Sequence, residues 1–288
     1  MGESTTFGLL SVVGTPIGNL ADLSPRVRDT LANANAILCE DTRVTAKLLN
    51  YLGIKKPLER CDENVIARKA QAVIERLGAG ERVAFVSDAG MPAISDPGQQ
   101  LVDAALDAGL KVEVIPGPSA VTCAIALSGL SASHFFFEGF LPRKSGARLR
   151  RLQQLSAIPG ALVIYESPHR VVSTLDACAA VFGERPCALV RELTKVHEEC
   201  RRGSASQLCE SVRSQEEQGS PLKGECVIVV GEIDEEAQPG IDEKLDPQRV
   251  AADLLAQGLS PSAAAKELVR LCGLKRSAAY DLVLTSRS

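Results

Sequence analysis

Tryptophan is absent from the 288 residues, and aromatic side chains make up only 3%. A protein that coats single-stranded nucleic acid by stacking bases on aromatic rings is thereby excluded. The core has to be built from Ala, Val, Leu and Ile. Histidine is almost as scarce, with three residues, and the nine cysteines are odd in number, scattered and free of any CxxC pair. They describe neither a disulfide framework nor a zinc site. Cys123 in SAVTCAIAL and Cys226 in ECVIVV sit in apolar runs, as buried thiols of a reducing compartment do. His197, Cys200 and Cys209 fall in no recognised ligand spacing, so no metal is expected. No apolar run approaches the ~18 residues of a spanning helix. The first residues, Met-Gly-Glu-Ser-Thr-Thr, lack the basic-then-apolar order of a signal peptide. A cytoplasmic protein without membrane association is expected. An excess of positive charge is missing as well: the formal net charge is −4, which argues against indiscriminate coating of nucleic acid.

What is present is patterned. With 24% charged and 45% hydrophobic residues the chain is globular, and its length suggests about two domains. Short apolar runs at 9–13, 36–39, 82–87 and 111–115 alternate with segments of helical spacing at 25–33, 43–51, 65–78 and 98–108. This is the signature of βα units and a mostly parallel sheet. Ser24-Pro25 and Asp96-Pro97 each place a capping side chain before a first-turn proline. After Pro116-Gly117-Pro118 a second alternating block begins, with strands at 135–138, 161–166, 187–192 and 225–231 and helices at 119–128, 146–156, 169–181 and 204–214. The expected organisation is an α/β lobe over 1–117, a second over 118–231, an acidic linker over 232–246 and a small helical domain over 247–288. The linker carries seven acids against Lys244, a net charge of −6. Its three following helical patterns have the small-residue turns of a helix-turn-helix unit.

Polar motifs stand where strands end. The first apolar run leads into Gly14-Thr15-Pro16-Ile17-Gly18-Asn19. That turn lacks both the Lys-Ser/Thr of a P-loop and the GxGxxG fingerprint of dinucleotide binding. The run ending at Val86 opens into the twelve-residue loop from Ser87 to Gly98, rich in Gly, Pro and Asp. Ligands of open α/β sheets bind beyond the carboxyl ends of strands, and two carboxylates in one loop suit hydroxyl or amine groups better than phosphates. Glu40-Asp41-Thr42-Arg43, Pro116-Gly117-Pro118-Ser119-Ala120, Glu166-Ser167-Pro168-His169-Arg170 and Arg191-Glu192-Leu193-Thr194-Lys195 occupy equivalent places. From Glu138 to Arg151 five cations face one anion, a net charge of +4 and a candidate contact for phosphates.

Taken in order and spacing, VVGTPIGNLADLSPR, CEDTR, VSDAGMPAISDPG, PGPSA, EGFLPRK, YESPHR, RELTK and KGE resemble the bacterial 16S rRNA ribose methyltransferases of the tetrapyrrole methylase superfamily. The likeness runs from about Leu9 to the C-terminus. It implies two α/β lobes with S-adenosylmethionine in the cleft between them, a homodimer, and methylation of a cytidine 2′-hydroxyl in the decoding region of 16S rRNA in the small ribosomal subunit. Carried over by motif, cofactor contacts fall to Pro16, Asp88, Gly90, Ile94, Asp96, Ser119 and Ala120, and in the second lobe to Glu138, Glu166, Thr194 and Gly224. The family commonly has His-Asn where this chain has Glu63-Asn64, which leaves no role for that histidine here.

Methyl transfer from a sulfonium needs alignment of oxygen, methyl and sulfur, and a general base can assist. Asp41, His169, Glu192 and Lys195 are the candidates, and the sequence does not choose among them. Arg43, Arg143, Lys144, Arg148 and Arg170 are the candidates for holding phosphates. Two other functions compete. A tetrapyrrole C-methyltransferase is disfavoured by the basic loop and the extra C-terminal helices. A small-molecule-sensing nucleic-acid binder would use those helices without methyl transfer.

Overall fold

The computed structural model describes residues 8–93, 98–233, 247–256, 259–272 and 274–286. The chain divides into an α/β unit ending at Ile233 and a helical unit after it. The expected cap Asp96-Pro97 and residues 234–246 of the acidic stretch lie outside the described residues.

The first sheet contains β1 (Leu9–Val13), β2 (Ala36–Cys39), β3 (Leu58–Arg60), β4 (Arg82–Val86) and β5 (Lys111–Ile115), ordered β3-β2-β4-β1-β5. Every pairing is parallel. A parallel sheet needs cover on both faces, and the period-two alternation supplies two apolar faces. Val13, Ile37, Cys39, Ala84 and Val86 pack with α1 (Pro25–Asn33) and α2 (Thr42–Leu52). Leu10, Leu38, Val83 and Phe85 pack with α3 (Ile66–Gly78) and α4 (Gln99–Asp107). Ser24 starts α1 as expected: its hydroxyl accepts the Val27 N–H at 3.3 Å, with Pro25 in the first turn.

The second sheet differs from the first in strand direction. Its strands are β6 (Phe135–Phe140), β7 (Ala161–Glu166), β8 (Pro186–Arg191), β9 (Glu199–Ser204) and β10 (Cys226–Val230), ordered β6-β7-β10-β8-β9. Only β6 and β7 pair in parallel; β10 runs antiparallel to both β7 and β8, and β8 to β9. The mostly parallel sheet read from the first block is what the first lobe has, whereas the apolar alternation of the second block revealed faces but not direction. Leu162, Ile164, Leu189 and Ile228 face α6 (Ser145–Leu155), α7 (Val171–Phe182) and α8 (Ala205–Glu217). Val163, Ala188, Val190 and Val227 face α5 (Ala120–Ser128). β3 and β9 escape the sequence pattern because they are short or polar edge strands; ECRRGS has the charged character that blunts an edge.

All nine cysteines are free, and burial pushes the Cys187 and Cys226 thiols up to about 12. The helical unit consists of α9 (Pro247–Ala256), α10 (Pro261–Cys272) and α11 (Arg276–Thr285) around Leu254, Ala264, Leu268, Ala279 and Val283. No described helix is long and apolar enough to cross a membrane.

The α/β unit is fastened where it ends. Glu232 accepts hydrogen bonds from the Ser131 and Ser133 hydroxyls, both at 2.6 Å, and from the His134 N–H at 2.9 Å. The Ser131 bond leads in holding this carboxyl far below its ordinary value, at about 2. A depressed carboxylate contributes stability above its unfolded pKa and loses it as the pH falls through the folded one. Glu232→Gln is therefore expected to lower the midpoint of thermal unfolding near neutral pH. The gap to wild type should close as the pH falls from about 4.5 toward 2. A gap independent of pH would show that the carboxylate charge is not its source.

Candidate functional site

Two glycine turns touch at the carboxyl end of the first sheet. A Cβ on Gly14 would lie 2.6 Å from the Gly117 nitrogen, and one on Gly117 would lie 2.8 Å from Gly14 Cα. Only glycine at both positions lets the turns after β1 and β5 meet backbone to backbone. The next residue joins a third turn: Thr15 N–H donates to Gly90 O at 2.9 Å, and Gly90 N–H returns to Thr15 O at 3.2 Å. Gly90 has φ +80°. The Gly117 N–H points at Met91 Sδ, 3.3 Å away. Asp88 fastens the neighbouring motif, its Oδ1 accepting the Asp41 N–H at 3.1 Å. Asp41 in turn caps α2 through the Arg43 N–H at 2.8 Å and pairs with the Arg43 guanidinium at 2.6 Å. That side-chain bond holds the Asp41 carboxyl down at about 2.

The second lobe supplies the opposite wall. Glu192 and Thr194 hold positive φ, +51° and +65°, a conformation that costs of order 1–3 kcal/mol for a non-glycine residue. Lys195 crosses this bend, its Nζ 2.9 Å from Glu192 Oε1 and 3.0 Å from Glu225 Oε2. The lysine bond draws the Glu192 pKa below the usual carboxylate range. Burial works against the Lys195 ammonium, yet its bonds to Glu192 and Glu225 hold its pKa above the ordinary value. Gly224 belongs to the same arrangement, with φ +86° and a Cβ position only 2.1 Å from Glu192 Oε1. At the end of β7 the buried Glu166 is fully engaged: Oε1 accepts the Ser167 N–H at 2.8 Å, and Oε2 accepts the Thr174 hydroxyl at 2.7 Å. Aromatic rings gather beside it. Tyr165 meets Phe137 and Phe140 edge to face, at 4.8 and 5.8 Å between centroids.

Between the two walls lies a cavity of about 450 Å³. Six of the expected cofactor contacts line it: Asp88, Gly90, Ser119, Ala120, Glu166 and Gly224. Pro16, Glu138 and Thr194 are not among the lining residues. Glu138 is turned toward Arg151, with which it forms two bonds of 2.7 Å. Ile94 and Asp96 lie outside the described residues. Glu40, Phe140, Tyr165 and Glu225 also stand on the wall, although none was singled out as a cofactor contact. Each lies inside a quoted motif, beside a residue to which the contact was assigned instead or at a position that reads as strand core.

The candidate bases fare differently. Asp41, His169, Glu192 and Lys195 do not line the cavity. Asp41 and Glu192 are weakened as bases by their cations, and Lys195 is held protonated. His169 is exposed on the turn after β7. Among the phosphate candidates, Arg143 and Lys144 are exposed as expected. Arg43 is 87% exposed but paired with Asp41. Two expectations are corrected. Arg148 is buried, 7% exposed, because its turn of α6 faces the lobe interior. Arg170 turns inward as well: its Nη2 donates to Leu141 O at 2.8 Å, and its Nε lies 3.2 Å from Glu166 Oε1.

A two-sheet α/β unit with a cleft walled by strand-end turns is the architecture of tetrapyrrole methylases, and the family model "Tetrapyrrole (Corrin/Porphyrin) Methylases" matches residues 9–209. Solved structures of similar fold include diphthine synthase, at TM-score 0.59 and 16% identity over 78% of this chain and 90% of that one. A second is cobalt precorrin-4 methyltransferase, at TM-score 0.57 and 16% identity over 80% of this chain and 97% of that one. Sequence similarity is narrower: the chain is 44% identical over 278 residues to ribosomal RNA small subunit methyltransferase I of Xylella fastidiosa (strain Temecula1), covering 96% of this chain and 99% of that protein. It is 41% identical to the Mesorhizobium japonicum protein of that name, covering 96% of this chain and 91% of the relative. The chain thus belongs, within the tetrapyrrole methylases, to the ribosomal RNA small subunit methyltransferase I family. The Thermotoga maritima member is 44% identical over 223 residues, which are 98% of that protein but 77% of this chain.

Gly224→Ala tests the second wall. Positive φ and the Glu192 carboxylate both oppose a Cβ there. A loss of about 1–3 kcal/mol is expected, seen as a fall in Tm of roughly 2–10 °C. Glu192→Ala in the same chain should restore part of that loss, and no recovery would place the whole cost in the backbone.

Proposed function

We propose that the cavity binds S-adenosylmethionine and that the chain methylates the ribose 2′-hydroxyl of a cytidine in the decoding region of 16S rRNA. The observation that carries this reading is the juxtaposition of a carboxylate-bearing cavity with an exposed basic loop. A volume of about 450 Å³ suits a folded nucleoside cofactor. Gly90, Ser119, Ala120 and Gly224 offer close backbone approach, and Ile17, Leu193 and Val227 an apolar bed. Glu40, Asp88 and Glu225 put acidic side chains on the wall, where they favour a ligand carrying ammonium and sulfonium charges. When bound, S-adenosylmethionine supplies an electrophilic methyl group. The protein's own contribution is alignment, since none of the four candidate bases is poised on the wall.

The names of the relatives point to ribosomal RNA of the small subunit as substrate. The surface fits that chemistry. Arg143 and Lys144 stand exposed just after β6. Phe140, 62% exposed, lines the cavity at the end of β6, three residues before Arg143. It offers a face on which an extruded base can stack while the cations hold its flanking phosphates. A homodimer in the cytoplasm completes the proposal.

The test is transfer of labelled methyl from S-adenosylmethionine to the 2′-oxygen of small-subunit rRNA, and transfer to neither mature nor partly assembled subunits would refute it. Arg143→Ala with Lys144→Ala should raise KM for subunits and flatten the salt dependence of RNA binding by about 1 per lost contact. Cofactor affinity should stay within about twofold, because neither residue lines the cavity. Phe140→Ala should lower kcat/KM roughly tenfold, with Tyr restoring more of the activity than Leu. Equal rescue by Leu would reduce Phe140 to an apolar packing group.

A further inference from the structure

The helical unit carries charge of the opposite sign to the rest. Residues 247–288 hold Arg249, Lys266, Arg270, Lys275, Arg276 and Arg287 against Asp253, Glu267 and Asp281, a net charge of +3 in a chain of −4. The residues joining it to the α/β unit, 232–246, carry −6. Cations are thus concentrated in a unit with its own core, beyond an acidic stretch that repels polyanions.

Within that unit the cations converge. The first turns of α10 and of α11 flank a groove of about 500 Å³. Lys266 reaches it from α10 and Arg276 from α11, with Ser262, Ala265, Ser277, Tyr280 and the single carboxylate of Asp281 completing the lining. Lys266 and Arg276 are exposed and form no ion pair among the described residues. Tyr280, 44% exposed, is one of only three tyrosines in the chain. Two cations outnumber the one carboxylate, and with two serine hydroxyls and one aromatic face they form a set that holds a phosphodiester and stacks an unpaired base.

We infer that the α10–α11 groove is a second RNA-binding site, taking the backbone of a single-stranded or looped segment. The inference rests on the RNA substrate proposed above. Duplex DNA fits less well, although the helix pair has a helix-turn-helix look. The exposed face of α11 runs Arg276, Ser277, Tyr280, Asp281, Leu284, so its cations end after the first turn. A helix laid along a major groove would bury the exposed Leu284 among phosphates. Contact confined to the first turn suits one strand better than two.

The groove is also separable from the chemistry. The Thermotoga maritima relative spans 223 matched residues, the size of the α/β unit and too few to include a terminal helical unit as well. The groove therefore adds affinity for the substrate and leaves the transfer step alone.

The experiment uses the full chain with Lys266→Glu and Arg276→Glu together, and Lys266→Gln with Arg276→Gln as the neutral pair. KM for small ribosomal subunits, kcat, S-adenosylmethionine affinity and the salt dependence of RNA binding are measured, with circular dichroism as the check on folding. The charge reversal should raise KM roughly tenfold and flatten the salt slope by about 1 per lost contact. The neutral pair should do so less, and kcat and cofactor affinity should stay within about twofold. Unchanged KM and slope in a folded double variant would overturn the inference, and so would a wild-type preference for duplex DNA that the variant abolishes. Wild-type protein that transfers no methyl, yet loses RNA affinity on charge reversal, would locate the failure in the proposed reaction and leave the groove standing.

Discussion

The contact between Gly14 and Gly117 decides where everything else can go. With side chains on either residue the turns after β1 and β5 would be pushed apart by the width of a methyl group. Because they touch, Met91 reaches the Gly117 N–H, Thr15 bridges to Gly90, and the Asp88 loop lies where it can hold the Asp41 N–H. A parallel sheet leaves the carboxyl ends of its strands with unpaired backbone groups. Here those groups are spent on one another, so the wall is set before any ligand arrives. That is the kind of preorganisation an alignment-driven reaction needs.

The opposite wall is held by charge. Glu192 and Thr194 sit in a conformation that side chains avoid, and the Lys195 bridge to Glu192 and Glu225 spans the bend that results. One wall thus depends on the absence of side chains and the other on a specific ion cluster. The same cluster explains why the acidic and basic residues of RELTK are poor proton acceptors: their charges are already committed to shape.

Much of this was legible in the sequence, and the parts that were not share a cause. Apolar runs marked eight of the ten described strands, and six of the cofactor contacts carried over by motif line the cavity. Direction of pairing was invisible, because period two is the same in parallel and antiparallel sheets; hence the antiparallel β10. Edge strands β3 and β9 bury too little to leave a pattern. Partner choice was the other blind spot. Glu138 faces Arg151, Arg170 faces Glu166 and the Leu141 carbonyl, and Arg148 is folded inward. A basic run announces its charge but not which of its members the fold will consume. Phe140 and Tyr165 were overlooked because aromatic residues in a strand read as core.

Glu232 has a mechanical side. The chain leaves the α/β unit at the far end of β10 from the cavity, whose wall is built at 224–227. Immediately past that exit, three hydrogen bonds tie Glu232 to the segment entering β6. A pull on the chain beyond Ile233 is thereby loaded onto residues 131–134 and not along β10. The anchor works as strain relief: tension arriving from beyond Ile233 meets residues 131–134 before it can reach the cavity wall at 224–227.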